Sequence, residues 1–309
     1  MKQKNFVVLL LSICICGCVR NHTISKPICS EDNIMFRNKN QNEELFPFTK
    51  NADEYGDGKV EQMFDEAMNE EDPIKAIKKY DEIITSYPDY SSDAYVFRGS
   101  RKRDMGNLSG ALQDFNEAIN LDPSSELAYV AHAYLMEDLG NVSEAMSDYD
   151  EAIRLNPKNS NTYYIRGLLK YNMEDPTGSM DDFNVAIFLN PNFELAYFNR
   201  GLLKLCIDDM SGAYSDFSEA IRLDPNYTGA YINRGILKYN MDDTFGALSD
   251  FNQAVRSNPD CADAYFNRAA YYEDMAKNEK NKVKKAEFKA KAKSDTEMAS
   301  KLEQETIDK

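Results

Sequence analysis

The sequence predicts an all-α fold, a solenoid of antiparallel helix pairs in about six to seven units. The first observation is a period. Pro123, Pro157, Pro191, Pro225 and Pro259 stand 34 residues apart, and Pro88 precedes the series by 35. The second is what each period contains. Units starting at Ser92, Glu126, Ser160, Glu194 and Thr228 each run through a Tyr, a small residue, a polar turn, a small residue, an aromatic, an Ala and the Pro. A supersecondary unit of this length cannot bury its apolar face alone, so copies must stack. Length alone suggests about two globular domains, a prior that repeat arrays do not obey.

In chain order, residues 1–18 read as a targeting segment outside the fold. Lys2 and Lys4 make a basic flank. The apolar stretch from Phe6 to Cys16 is about half what a bilayer-spanning helix needs. It closes on Ile15-Cys16-Gly17-Cys18. This resembles a bacterial lipoprotein signal at Ile15, Gly17 and Cys18, while Cys16 departs from the usual middle residue. The resemblance implies lipidation of Cys18 with palmitate-type chains and a membrane anchor in the bacterial cell envelope. Val19 in place of Asp points to the outer membrane. The plainer reading is an ordinary signal peptide with incidental cysteines. Two or three acyl chains anchor stably where one is marginal.

Residues 19–56 are polar and without periodicity, which predicts a flexible tether with a reach of about 30–40 Å. After processing, Cys18, Cys29, Cys206 and Cys261 remain. With Cys18 as a thioether the other three cannot all pair within one chain, so no disulfide framework is expected.

The unit from Glu194 shows how each repeat is read. Leu195, Phe198, Leu202 and Leu205 share one helix face, Asp208-Asp209 interrupt it, and Ala213, Phe217, Ala220 and Ile221 carry a second helix that Pro225 ends. Asn107, Asn141, Asp175, Asp209 and Asp243 open the second helices as N-caps, and Pro176 takes a first-turn position. The acidic pairs Glu174-Asp175, Asp208-Asp209 and Asp242-Asp243 could be read as calcium ligands, but capping and the helix dipole already account for acids there.

These units resemble tetratricopeptide repeats, on Tyr197, Gly201, Ala213, Phe217, Ala220 and Pro225 and their counterparts. The resemblance covers 57 to about 306 and implies a right-handed superhelix, with units near 57–90, 92–125, 126–159, 160–193, 194–227, 228–261 and 262–306. The first unit is weaker, with Phe64 at the small position. In the last, a Lys-rich insertion is expected to separate the two helices.

The chain departs from the family where Leu usually stands beside the small residue. It has Arg98, Arg166, Arg200, Arg234 and Arg268 there, and Asp114, Asp182, Asp216, Asp250 and Asp295 in the second helices. Lys102, Lys170, Lys204 and Lys238 follow four of the Arg by one turn. Like charges one turn apart repel, so an interposed Asp is expected. This predicts structural Arg–Asp–Lys clusters, with His132 facing Asp148 as a substitute. A row of ligand-binding arginines is the competing reading.

The formal charge of −16 argues against nucleic acid as the main ligand, and two His leave little room for histidine catalysis or His-rich metal sites. No cofactor, no metal and no enzymatic activity are expected. In tetratricopeptide proteins, partner peptides lie along first-helix surfaces. The resemblance therefore implies a partner-binding groove at Tyr164, Leu168, Phe198, Asn199, Leu202, Ile232, Asn233, Ile236, Phe266 and Asn267, with Tyr197, Tyr231 and Tyr265 as structural aromatics. Packing between units is the alternative for every one of them. Chaperone-binding members hold a carboxylate with Lys and Asn on this surface. Here Val96, Val130, Tyr164, Phe198, Ile232 and Phe266 occupy the Lys positions, so that clamp is absent.

The expected function is a protein-interaction scaffold or adaptor of the cell envelope. The alternatives are an outer-membrane or secretion assembly factor, a small-ligand or glycan binder, and a cytoplasmic adaptor. The Lys-rich stretch 277–293 is read as a solvated face or as a contact for anionic groups.

Overall fold

The structure, a computed structural model, describes residues 58–307. The targeting segment, the tether, Cys18 and Cys29 lie outside the described residues. Among those described there are fourteen α-helices in consecutive antiparallel pairs and no strand. They fall into two compact units that divide between Leu189 and Asn190.

The first unit holds α1 (Gly58–Met68), α2 (Pro73–Ser86), a 3-10 turn (Pro88–Tyr90), α3 (Ser91–Asp104), α4 (Leu108–Leu121), α5 (Glu126–Asp138), α6 (Val142–Leu155), α7 (Ser160–Asn172) and α8 (Pro176–Leu189). Asp72 caps α2 by accepting from the amides of Ile74 and Lys75, with Pro73 in the first turn. The second unit holds α9 (Glu194–Cys206), α10 (Met210–Leu223), α11 (Thr228–Asn240), α12 (Thr244–Ser257), α13 (Ala262–Asn278) and α14 (Lys282–Ile307).

Each first helix from α3 to α11 stops at a left-handed residue: Gly106, Gly140, Glu174, Asp208 and Asp242, at φ 78°, 78°, 62°, 60° and 62°. The amide that follows bonds to the carbonyl five residues back, as in Asn107 N–H to Lys102 O at 2.8 Å and Asp209 N–H to Lys204 O at 2.9 Å. The same Asn or Asp then opens the next helix. Asn107, Asp175, Asp209 and Asp243 accept from the amides of Gly110, Gly178, Gly212 and Gly246. Asn141 departs from the expected capping role. Its side chain makes no cap bond, and the residue three positions on is Glu144, not Gly. At Gly212 a Cβ would lie 2.1 Å from the Asp209 carboxylate, so this capping geometry requires the glycine.

The core repeats with the chain. Phe115, Tyr149, Phe183, Phe217 and Phe251 are fully buried at a 34-residue interval. In four of these units the ring packs on a glycine of the first helix. A Cβ on Gly201 would come within 2.8 Å of the Phe217 ring. The small position is therefore a contact requirement between the paired helices.

The last pair corrects one expectation. The Lys-rich insertion does not form a connecting loop. It extends α13 to 17 residues and α14 to 26, leaving only residues 279–281 as the turn. Lys and Ala favour helix strongly enough that extra residues lengthen both arms.

Candidate functional site

The repeated charges form closed clusters. Arg98 Nη2 to Asp114 is 2.6 Å, and the matching distances are 2.7 Å for Arg166–Asp182, 2.7 Å for Arg200–Asp216, 2.8 Å for Arg234–Asp250 and 2.8 Å for Arg268–Asp295. Each Arg also donates through Nε to the second oxygen of the same carboxylate, making the pair bidentate. Lys102, Lys170, Lys204 and Lys238 each reach the same Asp at 2.8 Å. In unit 126–159, where His132 stands in place of the Arg, its Nδ1 lies 2.7 Å from Asp148 Oδ2.

Two partners of these arginines escaped the sequence reading. Each guanidinium lies over the ring of the Tyr three residues earlier, at 4.9 Å for Tyr95 and 5.4–5.7 Å for Tyr163, Tyr197, Tyr231 and Tyr265. The remaining Nη1 reaches back to the preceding helix pair. Arg98 meets Asp81, Arg166 meets Asp150 at 2.6 Å, Arg234 donates to Ser218 at 3.3 Å and Arg268 to Asn252 at 3.0 Å. The signal was present as a polar residue 16 or 17 positions before each Arg. Burial works against the charge on Arg98, yet the hydrogen bonds to Asp114 and Asp81 outweigh it and hold its pKa above the ordinary value. The clusters therefore tie paired helices together and link successive pairs.

The expected groove residues are mostly core. Phe198 and Ile232 are each 1% exposed. Phe198 packs on Phe217 and Tyr227 at 5.7 and 4.8 Å, and Ile232 lies in a cluster with Ile236, Phe251 and Tyr271. Tyr164 is buried against Phe183, and Leu168 is buried as well. Leu202 is half-buried, and Phe266 is 46% exposed. Asn199, Asn233 and Asn267 are buried, and each donates to the carbonyl four residues back in its own helix, at 3.0, 2.8 and 3.0 Å. These amides are turned inward and cannot serve an external peptide backbone. Tyr197, Tyr231 and Tyr265, expected as the packed aromatics, are only partly buried. The physical reason is that a first helix packs on its own partner and on a neighbouring pair, so its apolar stripe is wider than one face.

An open cleft of about 510 Å³ lies in the first unit instead, at the first helices α1 and α3. Tyr80, Val96, Phe97 and Met68 give it an apolar wall, and Glu70, Arg101, Arg103 and Asp104 a charged rim. Arg101 donates to Met68 O at 2.7 Å, and Arg103 pairs with Asp104 and Asp138, each at 3.5 Å. Burial pushes the Tyr80 hydroxyl up to about 12, so it stays protonated at neutral pH. In the second unit, an open groove on α13 and α14 is lined by Lys277, Lys285, Lys289 and Lys293 over Ala276 and Ala292. Among the described residues, no group of three His, Cys, Asp or Glu side chains is placed to hold a metal ion. No described helix is long and apolar enough to cross a membrane.

Two family models, both described as tetratricopeptide repeat, match residues 127–159 and 232–278. No curated protein matches the sequence. Solved structures do. A tetratricopeptide repeat protein from Parabacteroides merdae aligns at TM-score 0.53 and 20% identity, over 80% of this chain and 98% of that one. PilF of Pseudomonas aeruginosa aligns at 0.54 and 19%, over 65% and 98%. PilW, described as a type IV pilus biogenesis factor, aligns at 0.54 and 17%, over 66% and 92%. At these identities the likeness establishes the fold: the chain carries tetratricopeptide repeats in an all-helical array.

Proposed function

We propose that the chain is a non-enzymatic protein-interaction scaffold of the bacterial cell envelope, anchored by lipid on Cys18, that captures a protein or peptide partner on first-helix surfaces. The observation that carries this reading is the cleft at α1 and α3. It offers apolar area beside charged groups, which suits a peptide with alternating apolar and charged side chains. The arginine clusters support it from the other side, since charges satisfied within the repeats are occupied with structure. A second reading, an assembly factor acting as a structural component, takes its support from the likeness to PilW.

The test places a photo-crosslinking residue at Ser100, on the cleft, and at Lys158, on an exposed turn, in the full-length protein in cells. A defined partner adduct at 100, absent at 158 and lost with Ser100→Arg in a protein labelled elsewhere on the cleft, is the expected result. Equal adducts at both positions would overturn the cleft assignment. Labelled palmitate tests the anchor separately: if Cys18→Ala takes up label as well as the wild type does, the lipid assignment is wrong.

A further inference from the structure

The two ends of the described chain carry opposite charge. Residues 277–293 hold eight Lys against Glu279 and Glu287, while 58–72 hold six acids against Lys59. Four of the lysines, Lys277, Lys285, Lys289 and Lys293, line the groove on α13 and α14 and outnumber its two carboxylates, Glu273 and Glu297, while Ala276 and Ala292 bring no bulky side chain to it. Among the described residues, Lys277, Lys285 and Lys289 meet no carboxylate within ion-pair distance, and Lys293 has only the exposed Glu297 at 3.6 Å. Every other pair in this unit is followed by a helix that packs against it, as α11 follows α10 and α13 follows α12. No described helix follows α14.

We propose that this lysine-lined groove docks the acidic α1 end of a second copy of the chain, head to tail. The spacing agrees. Lys285, Lys289 and Lys293 rise one helical turn at a time, and so do Glu61 and Asp65 on α1. A helix laid along the groove brings the two rows into register, and the alanine floor lets it approach closely. The contact is heterologous, since each copy offers a different surface, so it extends into chains instead of closing as a symmetric dimer. The groove's shape separates this occupant from a lipid surface, which is flat, while the charge rows select an acidic helix.

Sedimentation of the purified full-length protein in non-ionic detergent tests it. The wild type associates in a concentration-dependent way, and raising salt from about 50 to about 500 mM weakens association about tenfold or more. Lys285→Glu with Lys289→Glu and Lys293→Glu is monomeric, as is Glu61→Lys with Asp65→Lys and Glu66→Lys. Mixing the two variants restores association, because each then meets its complement. All the altered side chains are at least partly exposed, and circular dichroism checks that both variants stay folded. A wild type that is monomeric at low salt, or variants that associate as the wild type does, overturns the proposal. So does a monomer that floats with phosphatidylglycerol vesicles in a lysine-dependent way, which assigns the groove to a membrane.

Discussion

Arg200 and Asp216 are joined by two hydrogen bonds, Nε to Oδ2 at 2.9 Å and Nη2 to Oδ1 at 2.7 Å, and Lys204 Nζ lies 2.8 Å from that same Oδ2. The carboxylate is the hub. Its side chain is 4% exposed, while those of the Arg and Lys are 17% and 20% exposed. Removing the hub takes the shared carboxylate from two cations, whereas removing Arg200 leaves Lys204 on the carboxylate. Asp216→Ala is therefore expected to cost about 3–5 kcal/mol and Arg200→Leu about 1–3 kcal/mol. Urea denaturation followed by far-UV circular dichroism measures the order. Equal losses would mean that Lys204 does not hold Asp216 in solution.

The burial of Ile232 beside the exposure of Phe266 gives a second test. A charge at 232 enters the cluster of Ile236, Phe251 and Tyr271. Ile232→Glu should lose at least about 3 kcal/mol, and Phe266→Glu should stay within about 0.5 kcal/mol of the wild type. Thermal melts distinguish them. If both melt alike, first-helix packing differs from the structure.

First-helix burial of this kind marks the boundary of what was legible in the sequence. The 34-residue period, the helix pairs and the Arg–Asp spacing could all be read, because each is local or recurs within one unit. Which side of a first helix is buried could not. Phe198 and Tyr197 are adjacent and both aromatic, and only the position of the next pair decides that Phe198 meets Tyr227 while Tyr197 lies under the Arg200 guanidinium. The cleft at α1 and α3 was hidden for a similar reason. It lies between the weakest unit, where Phe64 and Met63 replace the small residue and the Arg, and the regular unit that follows, so the repeat pattern described only its α3 wall.

Asp208 sits at φ 60° in the turn position that Gly140 fills at φ 78° in another repeat. An L side chain there is strained, though Asp tolerates it better than most. Asp208→Gly should stabilise by about 0.5 kcal/mol and Gly140→Ala should cost about 1–2 kcal/mol. Melting temperatures of the two variants check this. A destabilised Asp208→Gly would show that the aspartate side chain contributes more to the turn than its backbone strain costs.

Asp209 and Gly212 are coupled through space. The Gly212 amide donates to Asp209 Oδ1 at 2.9 Å, and a Cβ on Gly212 would meet the other carboxylate oxygen at 2.1 Å. Asp209→Ala alone should cost about 1 kcal/mol, the usual value of an N-cap. Gly212→Ala should gain little, because the roughly 1 kcal/mol of helix propensity is offset by expulsion of the cap. Adding Asp209→Ala to Gly212→Ala should then cost almost nothing, since the cap is already lost. A double-mutant cycle reads the coupling directly. Additive effects would mean that the carboxylate finds a second capping rotamer. The α6 helix offers the natural comparison: Glu144 stands three residues after Asn141, and that side chain has left the cap for Met136 Sδ at 3.8 Å. Glu144→Gly should bring Asn141 back to its helix and leave the melting temperature nearly unchanged, the regained cap offsetting the lost helix propensity, while the same change at an exposed mid-helix site such as Glu117 should lower it.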